Sequence, residues 1–158
     1  MESVIMHSIE QIDKQGIGFK YLILLQPTSP FRTKGTLRKL TNEFNADIYD
    51  SVLTVKSVHN LYWKNNKYAK PLYSSRKMRQ DFDNYAESGM FYKSKISKII
   101  SSKNRVSGKT LLVENKEIES TEIDTQFDLK IANLLIHELE ADWKKEVLET
   151  NKIIKSMM

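Results

Sequence analysis

Tyr21-Leu22-Ile23-Leu24-Leu25 is a continuous apolar run with no polar side chain on either face, and Gln26-Pro27-Thr28-Ser29-Pro30 stops it abruptly. A strand with one face in water alternates polar and apolar side chains, so an unbroken run suits a strand covered on both sides. It predicts a parallel sheet with helices on both faces. Ser51-Val52-Leu53-Thr54-Val55 reads as a second buried strand, and residues 89–92 and 110–113 as further strands. Val4, Ile5, Ile9 and Ile12 keep helical spacing in residues 1–15, which Gly16 and Gly18 close; residues 36–44 also read as helix. From 128 to 157, Ala132, Leu135, Leu139, Trp143, Val147 and Ile154 form one apolar stripe, on a helix long enough to break in two. No internal repeat and no linker interrupts the pattern. It predicts one α/β domain over residues 1–158.

Composition narrows the class. The 158 residues are 40% hydrophobic and 28% charged, enough to bury a core and unlike a disordered chain. No apolar run approaches the roughly 20 residues of a membrane span. Residues 1–15 alternate polar and apolar groups and lack a signal-peptide core. Without cysteine there is no disulfide framework, thiolate metal site or cysteine nucleophile. The expected location is the cytoplasm.

The formal charge of +5 is unevenly placed. Residues 51–80 contain no Asp or Glu, but carry Lys56, Lys64, Lys67, Lys70, Arg76, Lys77 and Arg79 among Tyr62, Trp63, Tyr68 and Tyr73. Such a basic insert, spanning 56–87, suits an anion (phosphate, an acidic sugar or nucleic acid) or is simply a solvated loop. From Lys109 onward the balance reverses, with eleven acids against seven lysines.

Ligands of open parallel sheets bind at the carboxyl ends of strands. Residues 26–32 occupy such an end and offer the Gln26 amide, the Thr28 and Ser29 hydroxyls and the Arg32 guanidinium on a loop stiffened by two prolines. The same residues also read as a strand-ending turn that caps the next helix. His7, His59 and His137 stand at no metal-ligand spacing and read as structural or surface residues.

Four ordered segments carry a resemblance. Leu24-Leu25-Gln26-Pro27-Thr28-Ser29-Pro30-Phe31-Arg32 is similar to the LLQPTSPLR motif of the acylneuraminate cytidylyltransferases, the CMP-sialic acid synthetases. Asp50-Ser51-Val52-Leu53-Thr54-Val55 with Tyr62-Trp63-Lys64 resembles that family's "DSvvSV" strand and "YWk" stretch. Arg79-Gln80-Asp81-Phe82 and Tyr85-Ala86-Glu87-Ser88-Gly89-Met90-Phe91-Tyr92 resemble "RQDLPxxYxeNGaiYi", and residues 122–129 resemble "DIDTxxDL". The likeness covers roughly residues 18–135. It departs in three places: Ser88 stands for the family's sugar-holding Asn, Glu122 for its first Asp, and nothing resembles the "IPARxGSKxxxxKN" strand and loop that hold the CTP phosphates.

The resemblance implies a Rossmann-like nucleotidyltransferase (nucleotide-diphospho-sugar transferase) domain, truncated at its N-terminus to the C-terminal portion of a cytidylyltransferase. It implies transfer of CMP from CTP to a nine-carbon 2-keto sugar acid, with pyrophosphate released, in a homodimer to which the insert contributes. Such a transfer needs positioning, neutralised phosphate charge and a proton acceptor. Glu122 and Asp124, two apart on a strand-like segment, would turn to one face as Mg²⁺ ligands. Asp124 and Arg79 are then the catalytic candidates, Arg79 gripping the sugar carboxylate. Gln26, Thr28, Ser29, Arg32, Gln80, Ser88 and Tyr92 are the substrate-binding ones. Asp128 is expected in the first turn of the following helix. Two readings of other classes stay open: a folded remnant or partner protein without catalysis, and a nucleic-acid-binding module. The second is disfavoured by the mild overall charge and the absence of any RRM, KH or helix-turn-helix pattern.

Overall fold

The strand read as doubly covered turns out to be an edge. In the computed structural model, which describes residues 1–16, 18–65, 67–82 and 84–156 and only the backbone of Arg79, β1 (Tyr21–Leu24) pairs with β5 (Asn84–Lys95) alone. Leu22 and Leu24 face α1 (Glu2–Asp13) and α3 (Ile96–Ser102), in a cluster with Ile5, Ile9 and Ile99. Tyr21 and Ile23 lie on the opposite face, Tyr21 edge-on to the Phe44 ring, and remain 36% and 48% exposed. Two strands are buried on both faces, β2 (Ser51–Val58) and β5 over 88–92: Val52 and Phe91 pack with Leu40 of α2 (Lys34–Glu43) and with Phe44 just after it, while Leu53 and Val55 pack with Tyr92 and Val106.

The sheet has four strands in the order β1-β5-β2-β6, with β6 at Thr110–Glu114. It is mixed, not parallel. β5 runs antiparallel to β1 and β2, while β2 and β6 are parallel. Consequently β1, β2 and β6 share one direction, and their carboxyl ends lie along one edge. The expected all-parallel sheet is corrected by β5, whose antiparallel pairing on both sides leaves β2–β6 the parallel pair.

The long C-terminal helix does break. α4 (Gln126–Glu138) and α5 (Ala141–Ser156) meet at Leu139 and Glu140, and the predicted stripe packs Ala132, Leu135, Leu139, Trp143 and Val147 around Phe31. The insert splits. β2 continues to Val58, a small exposed hairpin forms from β3 (Trp63–Asn65) and β4 (Ala69–Pro71), and a single 3-10 turn (Arg79–Asp81) leads into β5. Among the elements unforeseen from sequence are α3 and the 3-10 turn Ile118–Ser120.

Candidate functional site

The loop after β1 is held from three sides. Arg32 is buried; its Nε donates to the Ser29 carbonyl at 2.9 Å, and its Nη2 donates to the carbonyls of Gln26 and Ser29. Asn151 of α5 donates to the Pro30 carbonyl at 2.7 Å. From the other side the Ile123 amide donates to the Thr28 carbonyl at 2.9 Å, tying residues 122–124 to the loop. Buried Glu119 fastens the same region by accepting from Thr36 Oγ1 at 2.5 Å and from the Lys116 amide at 3.3 Å. Arg32 is therefore committed to backbone carbonyls, and its contribution is the shape of the loop.

A bulge in β5 opens the sheet beside this loop. Leu53 pairs with Tyr92 but Val55 with Glu87, so the β5 segment between them is longer than its partner. Thr54 Oγ1 closes the gap by accepting from the Phe91 amide at 3.1 Å. Gly89 lies in that bulge with φ +65°, and a Cβ there would stand 1.7 Å from Glu122 Oε1 and 2.3 Å from Gln26 Oε1. Only a residue without a side chain admits both groups so close to the backbone. Gln26, Gly89 and Glu122, far apart in sequence, converge at this point.

Glu122 also lines a cleft of about 820 Å³ at the carboxyl ends of β2 and β6. Its walls carry Glu114, Glu117, Glu122, Asp124 and Asp128, against Lys56 and His59. Burial, then the nearby Asp124 carboxylate, pushes the Glu122 carboxyl above its ordinary range, with Lys56 opposing. Residues 121–124 form an extended loop rather than the expected strand end, yet both Glu122 and Asp124 reach the cleft. Asp128 closes a capping box with Thr125 at the start of α4, as its predicted first-turn position requires: its carboxylate accepts from the Thr125 amide at 2.7 Å while its own amide donates to Thr125 Oγ1 at 3.2 Å.

Of the remaining candidates, Tyr92 stands near enough to Glu122 to interact with its charge, as does its partner Glu87. Tyr92 is buried and donates its hydroxyl to Glu87 Oε2 at 2.9 Å, with Arg105 over its ring; burial and this bond drive its pKa upward. Ser29 and Ser88 are buried, and neither hydroxyl has a hydrogen-bond partner among the described residues. Gln80 is exposed and donates to Met78 Sδ. The side chain of Arg79 lies outside the described residues. Of the basic insert, Lys56 and His59 line the cleft, whereas Lys64, Lys67 and Lys70 stand on the hairpin. Sequence reasoning gave no site role to Gly89, whose signal was a lone Gly inside a strand pattern, to Lys56, named only within the basic insert, or to Glu87, named only within a motif.

Two hard carboxylates, Glu122 and Asp124, sharing one cleft suit a small divalent cation such as Mg²⁺, which takes one or two carboxylates and completes its shell with water or phosphate. Among the described residues no group of three or more His, Asp or Glu is placed to hold a metal alone. The class so defined is a mixed α/β domain with an acidic cleft at the carboxyl edge of its co-directional strands, and no helix among the described residues is long and apolar enough to cross a membrane. Compared with known proteins, the chain matches no family model and no curated protein.

Proposed function

We propose that this chain is a Rossmann-like nucleotidyltransferase domain of the CMP-sialic acid synthetase type. Its ligand is a nine-carbon 2-keto sugar acid, and its working form is a pair of copies. One observation carries the reading: Gln26 and Glu122, from two segments that resemble the family's motifs, meet against Gly89 of a third. In this reading the Gln26 amide hydrogen-bonds sugar hydroxyls or the acyl group, and Arg79 grips the sugar carboxylate. Arg32 and Asn151 fix the loop so that Gln26 needs little reordering on binding. Glu122 and Asp124 would hold Mg²⁺, which supplies neutralising charge to phosphate when bound.

The 158 residues contain no segment resembling the family's CTP loop. Each charge-assisted hydrogen bond to a phosphate contributes roughly 1.5–3 kcal/mol, so losing several weakens nucleotide binding by orders of magnitude. Residues 1–158 alone are thus expected to bind N-acetylneuraminate but to release no pyrophosphate above background from CTP, Mg²⁺ and that sugar. Sugar binding followed by amide chemical shifts, lost in Gln26→Ala, supports the reading. Absence of sugar binding, or binding indifferent to Gln26→Ala, overturns it. Robust pyrophosphate release that vanishes in Asp124→Ala would show that other residues replace the loop.

A further inference from the structure

Glu87 stands at the candidate site with no role in the chemistry described so far. It lies in β5 opposite Val55, at the foot of the bulge that holds Gly89, and it is exposed. Its Oε2 accepts from the Tyr92 hydroxyl at 2.9 Å. Among the described residues no ion pair and no second hydrogen bond reaches its carboxylate. Tyr92 is fixed in turn: it is buried against Leu53 and Val55, and Arg105 covers its ring at 4.9 Å from the centroid. That guanidinium pairs with Glu2 at 3.5 Å. Glu87 is also close enough for its charge to act on Glu122, whose oxygen meets that of Gln26 against Gly89. An exposed carboxylate held beside a like charge by a buried hydroxyl is unfavourable in the free protein. It is accounted for if a ligand that donates hydrogen bonds comes to lie there.

We propose that Glu87 is a further ligand-binding residue of this site, accepting hydrogen bonds from hydroxyl groups of the sugar, and that Tyr92 is the positioning residue that holds it in place. The inference rests on the sugar-acid reading given above. An ionised carboxylate only accepts, and hydrogen bonds from hydroxyls to it are among the stronger ones. Glu87 and the Gln26 amide thus present a wall suited to the hydroxyl-rich part of the ligand. The same charges repel the sugar's own carboxylate, which must lie at the far end of the ligand. Tyr92 is then not a substrate contact: its hydroxyl is committed to Glu87, and its ring is closed over by the sheet core.

Two measurements on the full chain test it. In the free protein, the Glu122 carboxyl carbon is followed by NMR through a pH titration. Glu87→Gln should lower its midpoint, because one of the charges that raise it is removed while Asp124 and Lys56 stay. The second measurement is N-acetylneuraminate binding read from amide shifts. Glu87→Ala should weaken it at least about tenfold. Tyr92→Phe, which keeps the ring and deletes the hydroxyl, should weaken it in the wild-type background and have no further effect beside Glu87→Ala. That non-additivity separates positioning from packing, since a loosened core would weaken binding in both backgrounds. An unmoved Glu122 midpoint, sugar binding that depends on Gln26 but not on Glu87, or additive effects of the two substitutions would overturn the assignment and leave the sugar-acid reading standing. No sugar binding by the wild type, with the Glu122 midpoint lowered as expected, would overturn that reading and with it the ligand named for Glu87.

Discussion

At the scale of single residues, the candidate site depends on what Gly89 lacks. An alanine there must hold a left-handed backbone and place its Cβ on top of Glu122 Oε1 and Gln26 Oε1. Gly89→Ala is therefore expected to cost roughly 1–3 kcal/mol, read from urea unfolding, and to abolish any sugar response at Gln26. Glu122 tests the electrostatics. Its pKa is raised, so the cost of its charge is absent at low pH and appears as pH climbs past the ordinary carboxylate range. Glu122→Gln removes both the burial of that charge and its repulsion by Asp124, so it should raise the melting temperature at pH 7 and leave it little changed at pH 4. A lower melting temperature at pH 7 would show that the carboxylate is compensated by a partner. Asp50 has the opposite sign. Hydrogen bonds from Lys95 and the Lys109 amide hold it at about 2, below its ordinary 3.8. Its contribution is full above pH 4 and lost as pH falls toward 2, so Asp50→Asn should flatten the acid limb of the stability curve.

At the scale of elements, α4 begins where the cleft-lining segment ends, so its N-terminal cap helps fix Asp124. Thr125→Ala deletes the capping box and is expected to destabilise by about 1 kcal/mol in chemical denaturation. Loss of Mg²⁺ response without loss of stability would place the role of Thr125 elsewhere. This cap was legible in the sequence because a Thr followed three residues later by an acid is a local signal. So was the apolar stripe of residues 132–147, whose period names the helix and the buried face together. β1 was misread because five consecutive apolar residues carry no period, and an edge strand half covered by α1 looks like a central one. β2, interior to the sheet together with β5, was read as buried but not as interior. The pairing of β5 is non-local, and its bulge is set by Thr54 and by what presses on Gly89, so that within β5 the lone glycine is its local signal. The candidate site was legible as separate motifs; that Gln26 and Glu122 touch one glycine was not.

At the scale of the whole molecule, the outer edge of β1 has no strand partner among the described residues. Around it Ile12, Phe19, Tyr21 and Ile23 are exposed and line an apolar cleft of about 290 Å³ with Ile9, Leu22 and Ile96. A free edge flanked by apolar side chains invites a further strand, since both its backbone groups and its side chains gain by leaving water. Residues 21–25 carry no charge, so two copies laid edge to edge in antiparallel fashion bring no like charges into register. The chain is accordingly expected to sediment as a dimer as its concentration rises. Ile23→Lys, at an outward position that contributes little to the monomer's core, should yield a monomer with an unaltered far-ultraviolet circular dichroism spectrum. A wild-type chain that stays monomeric at its highest soluble concentration would remove the pairing. A dimer indifferent to Ile23→Lys would move it away from β1, to the hairpin that exposes Trp63 and Tyr68.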